Sequence, residues 1–92
     1  MNEKSKIWMD GKFVEWNNAK IHILTHGLHY GTAVFEGIRC YNTKRGPAIF
    51  RLEDHVKRLT NSCKMYHMTL EYSEKEIREA IVETIKINNV ND

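Results

Sequence analysis

The sequence predicts an α+β fold, with antiparallel β-hairpins in the first half of the chain and two amphipathic helices in the second half. Three observations support this class: an Asp-Gly link between strand-like runs, an apolar stripe at helical spacing, and a helix-capping sequence further along. The 92 residues suffice for one small domain. We therefore expect a small, mostly antiparallel sheet of hairpins packed against two helices.

The first hairpin is predicted around Asp10-Gly11. Residues 7–9 and 12–16 are rich in aromatic and β-branched side chains and flank this dipeptide. Asp-Gly suits a type I′ turn, because that turn needs positive φ at both central positions. Residues 21–24 are expected to form a short strand or an extended segment.

A second hairpin is predicted downstream of a glycine-interrupted segment. Gly27 and Gly31 prevent a long helix there. Residues 38–41 alternate like a strand, and residues 48–50 are expected to form the return strand. Between them, residues 42–47 contain Asn, Gly and Pro, so we expect a loop.

Two helices follow. The first has an apolar stripe at steps of four, three, four and three, formed by Leu52, Val56, Leu59, Cys63 and Tyr66. The second begins at Ser73, whose capping box with Glu76 satisfies free backbone donors at a helix start. Its predicted inward face consists of Ile77, Ala80, Ile81, Thr84 and Ile85, and Asn88-Asn89 is expected to end it. Residues 68–72 are predicted to be a connecting strand or an extended link.

Composition excludes several classes of function. The formal charge of +2 comes from dispersed charges without a basic face, so we expect no nucleic-acid partner. No apolar run approaches the ~20 residues needed to cross a bilayer, and we predict a cytoplasmic protein without a membrane partner. Cys40 and Cys63 are expected to be buried free thiols. His26 and His29 lie three apart, but no suitably spaced third ligand accompanies them, so no metal site is predicted.

The segment with the most functional character is residues 26–41. Gly31 and Gly37 lie six apart beside an aromatic pair, Tyr30 and Phe35. Such glycines indicate positive φ or a close backbone approach, and aromatic walls suit a pocket for an apolar small molecule. A tightly packed turn with core aromatics would produce the same pattern.

This segment resembles the branched-chain amino-acid aminotransferases, which belong to the class IV, fold-type IV family of pyridoxal-phosphate enzymes. The resemblance is most specific at residues 29–32 and 35–39 and covers nearly the whole chain, from Trp8 to Arg58-Leu59 and, more weakly, into the second helix. It implies that the chain, residues 1–92, is the N-terminal small domain of a two-domain enzyme. We expect this domain to be incomplete at its C-terminal end.

The resemblance also implies roles for individual residues. Arg58 would bind the cofactor phosphate, a role that suits the paired donors of a guanidinium; a solvated helix arginine is the alternative. Tyr30 and Phe35 would contact the branched side chain of the substrate, and Gly37 would let the backbone pass close to substrate and cofactor. Glu36 and Arg39 are given no catalytic role, because an adjacent pair of opposite charges is more often a structural ion pair. His55 is expected to be a partly buried helix histidine that makes a hydrogen bond.

The activity implied for the parent protein is transfer of an amino group between leucine, isoleucine or valine and 2-oxoglutarate, with pyridoxal 5′-phosphate as cofactor. The lysine that forms the Schiff base would lie in a C-terminal domain beyond this chain, so the chain alone is expected to be inactive. Implied partners are the amino acid and 2-oxo acid substrates, that C-terminal domain, and further copies in a homodimer or larger assembly.

Three other functions remain open at this point. D-amino-acid aminotransferase and aminodeoxychorismate lyase share the fold that the resemblance implies. A third possibility, of a different class, is a free-standing module without catalytic activity that binds a phosphorylated ligand or a partner.

Overall fold

The computed structural model describes residues 2–90, which form two β-hairpins, a 3-10 turn at Trp16–Asn18, one short helix and two longer helices. The strands are β1 (Lys6–Met9), β2 (Lys12–Glu15), β3 (Cys40–Thr43) and β4 (Gly46–Ile49), and the helices are α1 (His26–Tyr30), α2 (Leu52–Met65) and α3 (Glu74–Ile87). The predicted α+β class and the antiparallel hairpins are confirmed. Within the described residues the hairpins form two separate two-stranded sheets rather than a single sheet.

The first hairpin has the predicted turn. Met9 pairs with Lys12, and the two residues between them have positive φ, 52° at Asp10 and 90° at Gly11. A Cβ atom at Gly11 would lie 3.1 Å from the Tyr72 hydroxyl oxygen, so both the turn and this packing favour glycine. The Tyr72 ring also makes an edge-on contact with Trp8, at 5.0 Å between centroids, and thereby joins the hairpin to the link before α3.

The second hairpin is tighter than predicted. The predicted loop over residues 42–47 is wrong, because pairing continues to Thr43, resumes at Gly46 and leaves only Lys44-Arg45 as the turn. The Thr43 hydroxyl donates to the Gly46 carbonyl at 2.6 Å and accepts from the Arg45 amide at 3.2 Å, which holds the turn closed. Pro47 is tolerated because each strand of a two-stranded sheet has an open edge.

The segment between the hairpins contains little regular structure. Residues 21–24 form no strand and are extended or turn-like. As predicted, the glycines limit the helix here: α1 has five residues and ends at Tyr30, and Gly31 caps it in the left-handed conformation at φ 66°. Residues 32–39 contain neither helix nor strand.

Helix α2 buries most of its predicted stripe. Val56 is fully buried, Cys63 is buried, and Leu52 and Leu59 are partly buried. The prediction for Tyr66 is wrong: the helix ends at Met65, and the Tyr66 side chain is exposed. The chain turns away at this point, so the helical period no longer directs the ring to the core.

Helix α3 begins and ends as predicted. The Ser73 hydroxyl accepts from the Glu76 amide at 3.1 Å, and the Glu76 carboxylate accepts from the Ser73 amide at 3.2 Å, which completes the capping box. Ile77 is buried and the rest of the predicted inward face is partly buried. Residues 68–72, which precede the cap, form no strand, so the extended link is the alternative that holds.

The side-chain amide of Asn88, at the C-terminal end of α3, joins the two ends of the fold. Its oxygen, Asn88 Oδ1, accepts from the Lys6 amide at 2.7 Å. Its nitrogen, Asn88 Nδ2, donates to the Lys6 carbonyl at 2.9 Å and to the Thr84 carbonyl at 3.0 Å. The amide therefore acts as a short extra strand edge for β1 and holds the first hairpin against α3.

The core that results is small. It contains Val56, Ile77 and two buried cysteines, Cys40 and Cys63, which are free thiols as predicted. Many large apolar side chains elsewhere stay exposed. In the part of the chain that the structure describes, no helix is long and apolar enough to cross a membrane, and no three metal-binding side chains cluster.

Candidate functional site

Three charged or titratable side chains meet where the irregular segment 32–39 contacts α2. Arg58 Nε donates to Glu36 Oε1 at 2.6 Å, and Arg58 Nη2 donates to Glu36 Oε2 at 2.7 Å. His55 Nδ1 lies 2.9 Å from the same Oε2 atom. The carboxylate is thus gripped in paired fashion by a guanidinium and contacted from the side by an imidazole.

The local structure explains why these groups meet. His55 and Arg58 are three residues apart on α2 and therefore share one face of the helix. Glu36 reaches them from a segment without helix or strand, and its side chain is only 6% exposed, whereas that of Arg58 is 67% exposed. The carboxylate is the buried, fixed member of the cluster, and the guanidinium extends from it toward solvent.

Their mutual contacts keep Glu36 ionised and Arg58 protonated. Hydrogen bonds from Arg58 and then from His55 lower the pKa of Glu36 to about 2, and they outweigh the burial that opposes its ionisation. The bond to Glu36 in turn raises the pKa of Arg58 above its ordinary value. Because an ionised carboxylate only accepts hydrogen bonds, the proton in the His55 contact is assigned to Nδ1.

Within residues 2–90, the hydrogen bonds of the Arg58 side chain run to Glu36 and leave other donors of its guanidinium free. A guanidinium has five N–H groups, and the two bonds to Glu36 leave three of them pointing away from the carboxylate. Beside it lies a cleft of about 280 Å³, lined by Phe50, Arg51, Asp54, His55 and Arg58. Arg51 is itself paired with Asp54, at 2.8 Å between Nε and Oδ2. The N–H groups of Arg58 that do not contact Glu36 have the chemistry to bind an anionic oxygen group such as a phosphate.

A larger groove lies elsewhere. It has a volume of about 740 Å³ and runs between the second hairpin and α3, with mainly apolar walls such as Pro47, Ile49, Val82 and Ile85. None of the three clustered residues lines it. The chemistry described above therefore belongs to the smaller cleft.

The other predicted site residues lie on the surface of the domain. Phe35 and Gly37 flank Glu36 in the chain, so the ion pair brings their segment to Arg58. The Phe35 side chain is 88% exposed, and the space next to the Gly37 Cα is open. Tyr30 lies at the end of α1, 74% exposed, with its ring stacked on His26. The alternative that Tyr30 and Phe35 are core aromatics is therefore wrong for this domain.

Glu36 is the member of this cluster that the sequence failed to reveal. The structural ion pair expected between Glu36 and Arg39 does not form, because the Arg39 guanidinium lies over the Tyr41 ring at 5.5 Å, and Glu36 pairs elsewhere. Its partners are instead 19 and 22 residues away, in α2. The prediction for His55 is confirmed, because it is partly buried and hydrogen-bonded.

Comparison with known proteins places the chain in a family. The family described as "Amino-transferase class IV" matches residues 33–92. The chain belongs to the class IV aminotransferases. Within that family it is 46% identical over 84 residues to the branched-chain-amino-acid aminotransferase of Escherichia coli (strain K12) and 49% identical over 84 residues to that of Pseudomonas aeruginosa; each alignment covers 91% of this chain.

Solved structures of class IV aminotransferases share its fold. The T.th. branched-chain amino acid aminotransferase complexed with N-(5′-phosphopyridoxyl)-L-glutamate has a TM-score of 0.95 at 48% identity over 99% of this chain. The Escherichia coli enzyme has a TM-score of 0.93 at 44% identity over 96% of it. The predicted resemblance and the fold of the N-terminal domain of a fold-type IV enzyme are thus confirmed. The chain spans 27% of the length of these curated relatives and 30% of the solved chains.

Proposed function

We propose that this class IV chain is the N-terminal domain of an aminotransferase that moves the amino group between branched-chain L-amino acids (leucine, isoleucine and valine) and 2-oxoglutarate. The observation that carries the proposal is the similarity to branched-chain aminotransferases, at 46–49% identity over 91% of the chain. Solved structures of the T.th. branched-chain amino acid aminotransferase are described with pyridoxamine 5′-phosphate and complexed with N-(5′-phosphopyridoxyl)-L-glutamate. We accordingly propose pyridoxal 5′-phosphate as the cofactor.

Arg58 is the proposed anchor for the cofactor phosphate. Its three N–H groups that do not contact Glu36, together with its high exposure, support this role. When bound, the cofactor supplies an electron sink that eases loss of the proton from the substrate Cα. The contribution of this chain is to hold the phosphate end and to form part of the substrate pocket.

The proposed substrate pocket uses Tyr30, Phe35 and Gly37. The exposed Phe35 ring offers an apolar surface that a branched aliphatic side chain can cover. Gly37 has no neighbour within 4 Å of a built Cβ, so a ligand can approach its backbone closely. An apolar pocket needs a second wall, and we propose that it comes from outside the described residues.

The remaining parts of the enzyme are proposed to lie in a second domain. Because this chain spans 27–30% of its relatives, the lysine that bonds to the cofactor is assigned to a C-terminal domain, and the chain by itself is expected to be inactive. That domain and other copies of the chain, in a homodimer or larger assembly, are the proposed partners. They would cover exposed apolar side chains such as Leu24 and Leu28. A cytoplasmic location is part of the same proposal.

The test uses the full-length protein. Amino transfer to 2-oxoglutarate is measured with leucine, isoleucine and valine, and D-alanine and aminodeoxychorismate are tested as competing substrates. We expect activity with the branched L-amino acids. Preference for D-alanine, or release of pyruvate from aminodeoxychorismate, would replace the proposal with one of the two related enzymes. Absence of any turnover together with absence of cofactor binding would favour a binding module.

The role of Arg58 has its own test. Arg58→Ala should weaken binding of pyridoxal 5′-phosphate by at least about tenfold, since charge-assisted bonds to the phosphate are lost. Arg58→Lys should restore part of the affinity, because a lysine keeps the charge but not the paired geometry. Arg45→Ala, in the exposed turn of the second hairpin, is the matched control and should change nothing. Unchanged affinity in Arg58→Ala would leave Arg58 as a structural partner of Glu36 without a role in cofactor binding.

A further inference from the structure

The Glu36 carboxylate is more deeply buried than the arginine that it binds. Its side chain is 6% exposed and receives three contacts, at 2.6 and 2.7 Å from Arg58 and at 2.9 Å from His55. A buried carboxylate with three donors around it is fixed in place. The Arg58 side chain, in contrast, is 67% exposed, so little packing restrains its four rotatable bonds.

We propose that Glu36 is a positioning residue for Arg58, which fixes the guanidinium plane so that its remaining N–H groups are aimed at the phosphate of the cofactor. This inference rests on the proposed function of Arg58 as phosphate anchor. The paired geometry supports it, because two parallel bonds define the orientation of a planar group, which a single bond does not. His55 contacts the same carboxylate through Oε2 and so adds a second partner that holds it.

The position of Glu36 in the chain extends this role. It lies between Phe35 and Gly37, the two residues proposed for the substrate pocket, in a segment without helix or strand. Among the described residues, the polar contacts that link this segment to α2 through Glu36 run to His55 and Arg58. One carboxylate thus fixes the phosphate anchor and ties the pocket segment to the same helix.

A competing role for Glu36 predicts the opposite sign. A carboxylate beside Arg58 reduces the positive potential that attracts a phosphate, so its removal would strengthen binding if charge alone decided the outcome. Positioning predicts weaker binding, because the freed guanidinium must be immobilised when the phosphate binds. The direction of the change in affinity therefore distinguishes the two roles.

The experiment measures affinity rather than turnover. Apoenzyme of the full-length protein is titrated with pyridoxal 5′-phosphate and with pyridoxal, which lacks the phosphate, for the wild type, Glu36→Gln and Glu36→Asp. Glutamine keeps the length but offers Arg58 one acceptor instead of two. Aspartate keeps the charge but withdraws it by one methylene. Glu79→Gln, which removes an exposed partner of Lys75 on α3, is the control.

We expect both Glu36 variants to raise the dissociation constant of the phosphorylated compound by about 10- to 100-fold, the range found when an orienting partner of a metal ligand is removed. Pyridoxal affinity should change by less than about twofold, a result that general unfolding would not produce. Tighter binding of the phosphate compound by Glu36→Gln would overturn the proposal in favour of charge screening. An equal loss for both compounds would overturn it in favour of a general structural role.

A double-mutant cycle separates this inference from the proposed function. If Glu36 acts through Arg58, adding Glu36→Gln to Arg58→Ala should cause almost no further loss of affinity for the phosphate compound. A further loss equal to that in the wild-type background would overturn positioning while leaving Arg58 as the anchor. If Arg58→Ala itself has no effect, the anchor assignment fails first, and the positioning role fails with it.

Discussion

The Asn88 side chain offers a quantitative test of how the two ends of the fold are joined. Asn88→Ala removes the acceptor for the Lys6 amide at 2.7 Å and the donor to the Lys6 carbonyl at 2.9 Å. Each such bond stabilises a protein by about 1 kcal/mol net. The third bond, to Thr84, contributes little more, because the Thr84 carbonyl also accepts from the Asn88 backbone amide at 3.3 Å. We expect a loss of about 2 kcal/mol in the free energy of unfolding.

In a domain of this size, a loss of about 2 kcal/mol lowers the melting temperature by roughly 8–16 °C. Urea unfolding of the 92-residue chain, followed by the fluorescence of Trp8 and Trp16, which belong to the first hairpin and the 3-10 turn after it, measures the change. Asn88→Asp has nearly the same shape but no N–H donor, and places a negative charge at a helix C-terminus, so it should be at least as destabilising as alanine. Asn61→Ala, at an exposed position within α2, is the control, and its effect should stay below about 0.7 kcal/mol.

Two results would contradict this reasoning. If Asn88→Asp were as stable as the wild type, the bond that the Asn88 side chain donates to the Lys6 carbonyl would contribute nothing measurable. If Asn88→Ala destabilised the chain no more than Asn61→Ala, the contact with Lys6 would contribute nothing measurable.

Burial and charge lead to three more predictions. Val56→Ala empties part of the core and should cost about 2 kcal/mol of unfolding free energy in the same urea titration, since Val56 is fully buried. Phe35→Ala should change that free energy by less than about 0.5 kcal/mol, because Phe35 is 88% exposed. In the full-length enzyme, however, the same substitution should lower the leucine-to-alanine ratio of kcat/KM by about tenfold or more. An unchanged ratio would mean that Phe35 does not line the substrate pocket. Because the folded pKa of Glu36 is about 2 against an ordinary 4.5, the stabilisation it provides is present above pH 4.5 and is lost as the pH falls toward 2. Between pH 4.5 and 2, the melting temperature of Glu36→Gln should therefore fall less steeply with decreasing pH than that of the wild type. Equal slopes would contradict the assignment.

Local signals allowed much of the fold to be predicted. The Asp10-Gly11 turn and the Ser73–Glu76 capping box depend on interactions within two to four residues, so the sequence carries the whole signal. The apolar stripe of α2 was likewise predictable from its period, up to the point at which the helix ends. Tyr66 lies beyond that end and is exposed, which a periodic pattern alone does not reveal.

Contacts between distant residues were not predictable in the same way. The bonds between Arg58 and Glu36 and between Lys6 and Asn88 span 22 and 82 residues and leave no period in the sequence. For the site, the family was predictable from the motif in residues 26–41. The roles of Arg58 and Phe35 rest on that resemblance and remain predictions.

The joint between Lys6 and Asn88 also has a consequence for the order of events during synthesis. A ribosome adds about 5–20 residues per second, so the 82 residues that separate the two partners take roughly 4–16 s to make. Throughout that interval the first hairpin has no α3 to dock on, and an isolated two-stranded hairpin is marginally stable at best. The first hairpin of the chain to be synthesised is thus expected to be among the last to become ordered, and a ribosome that pauses before residue 88 would hold the nascent domain open for that time.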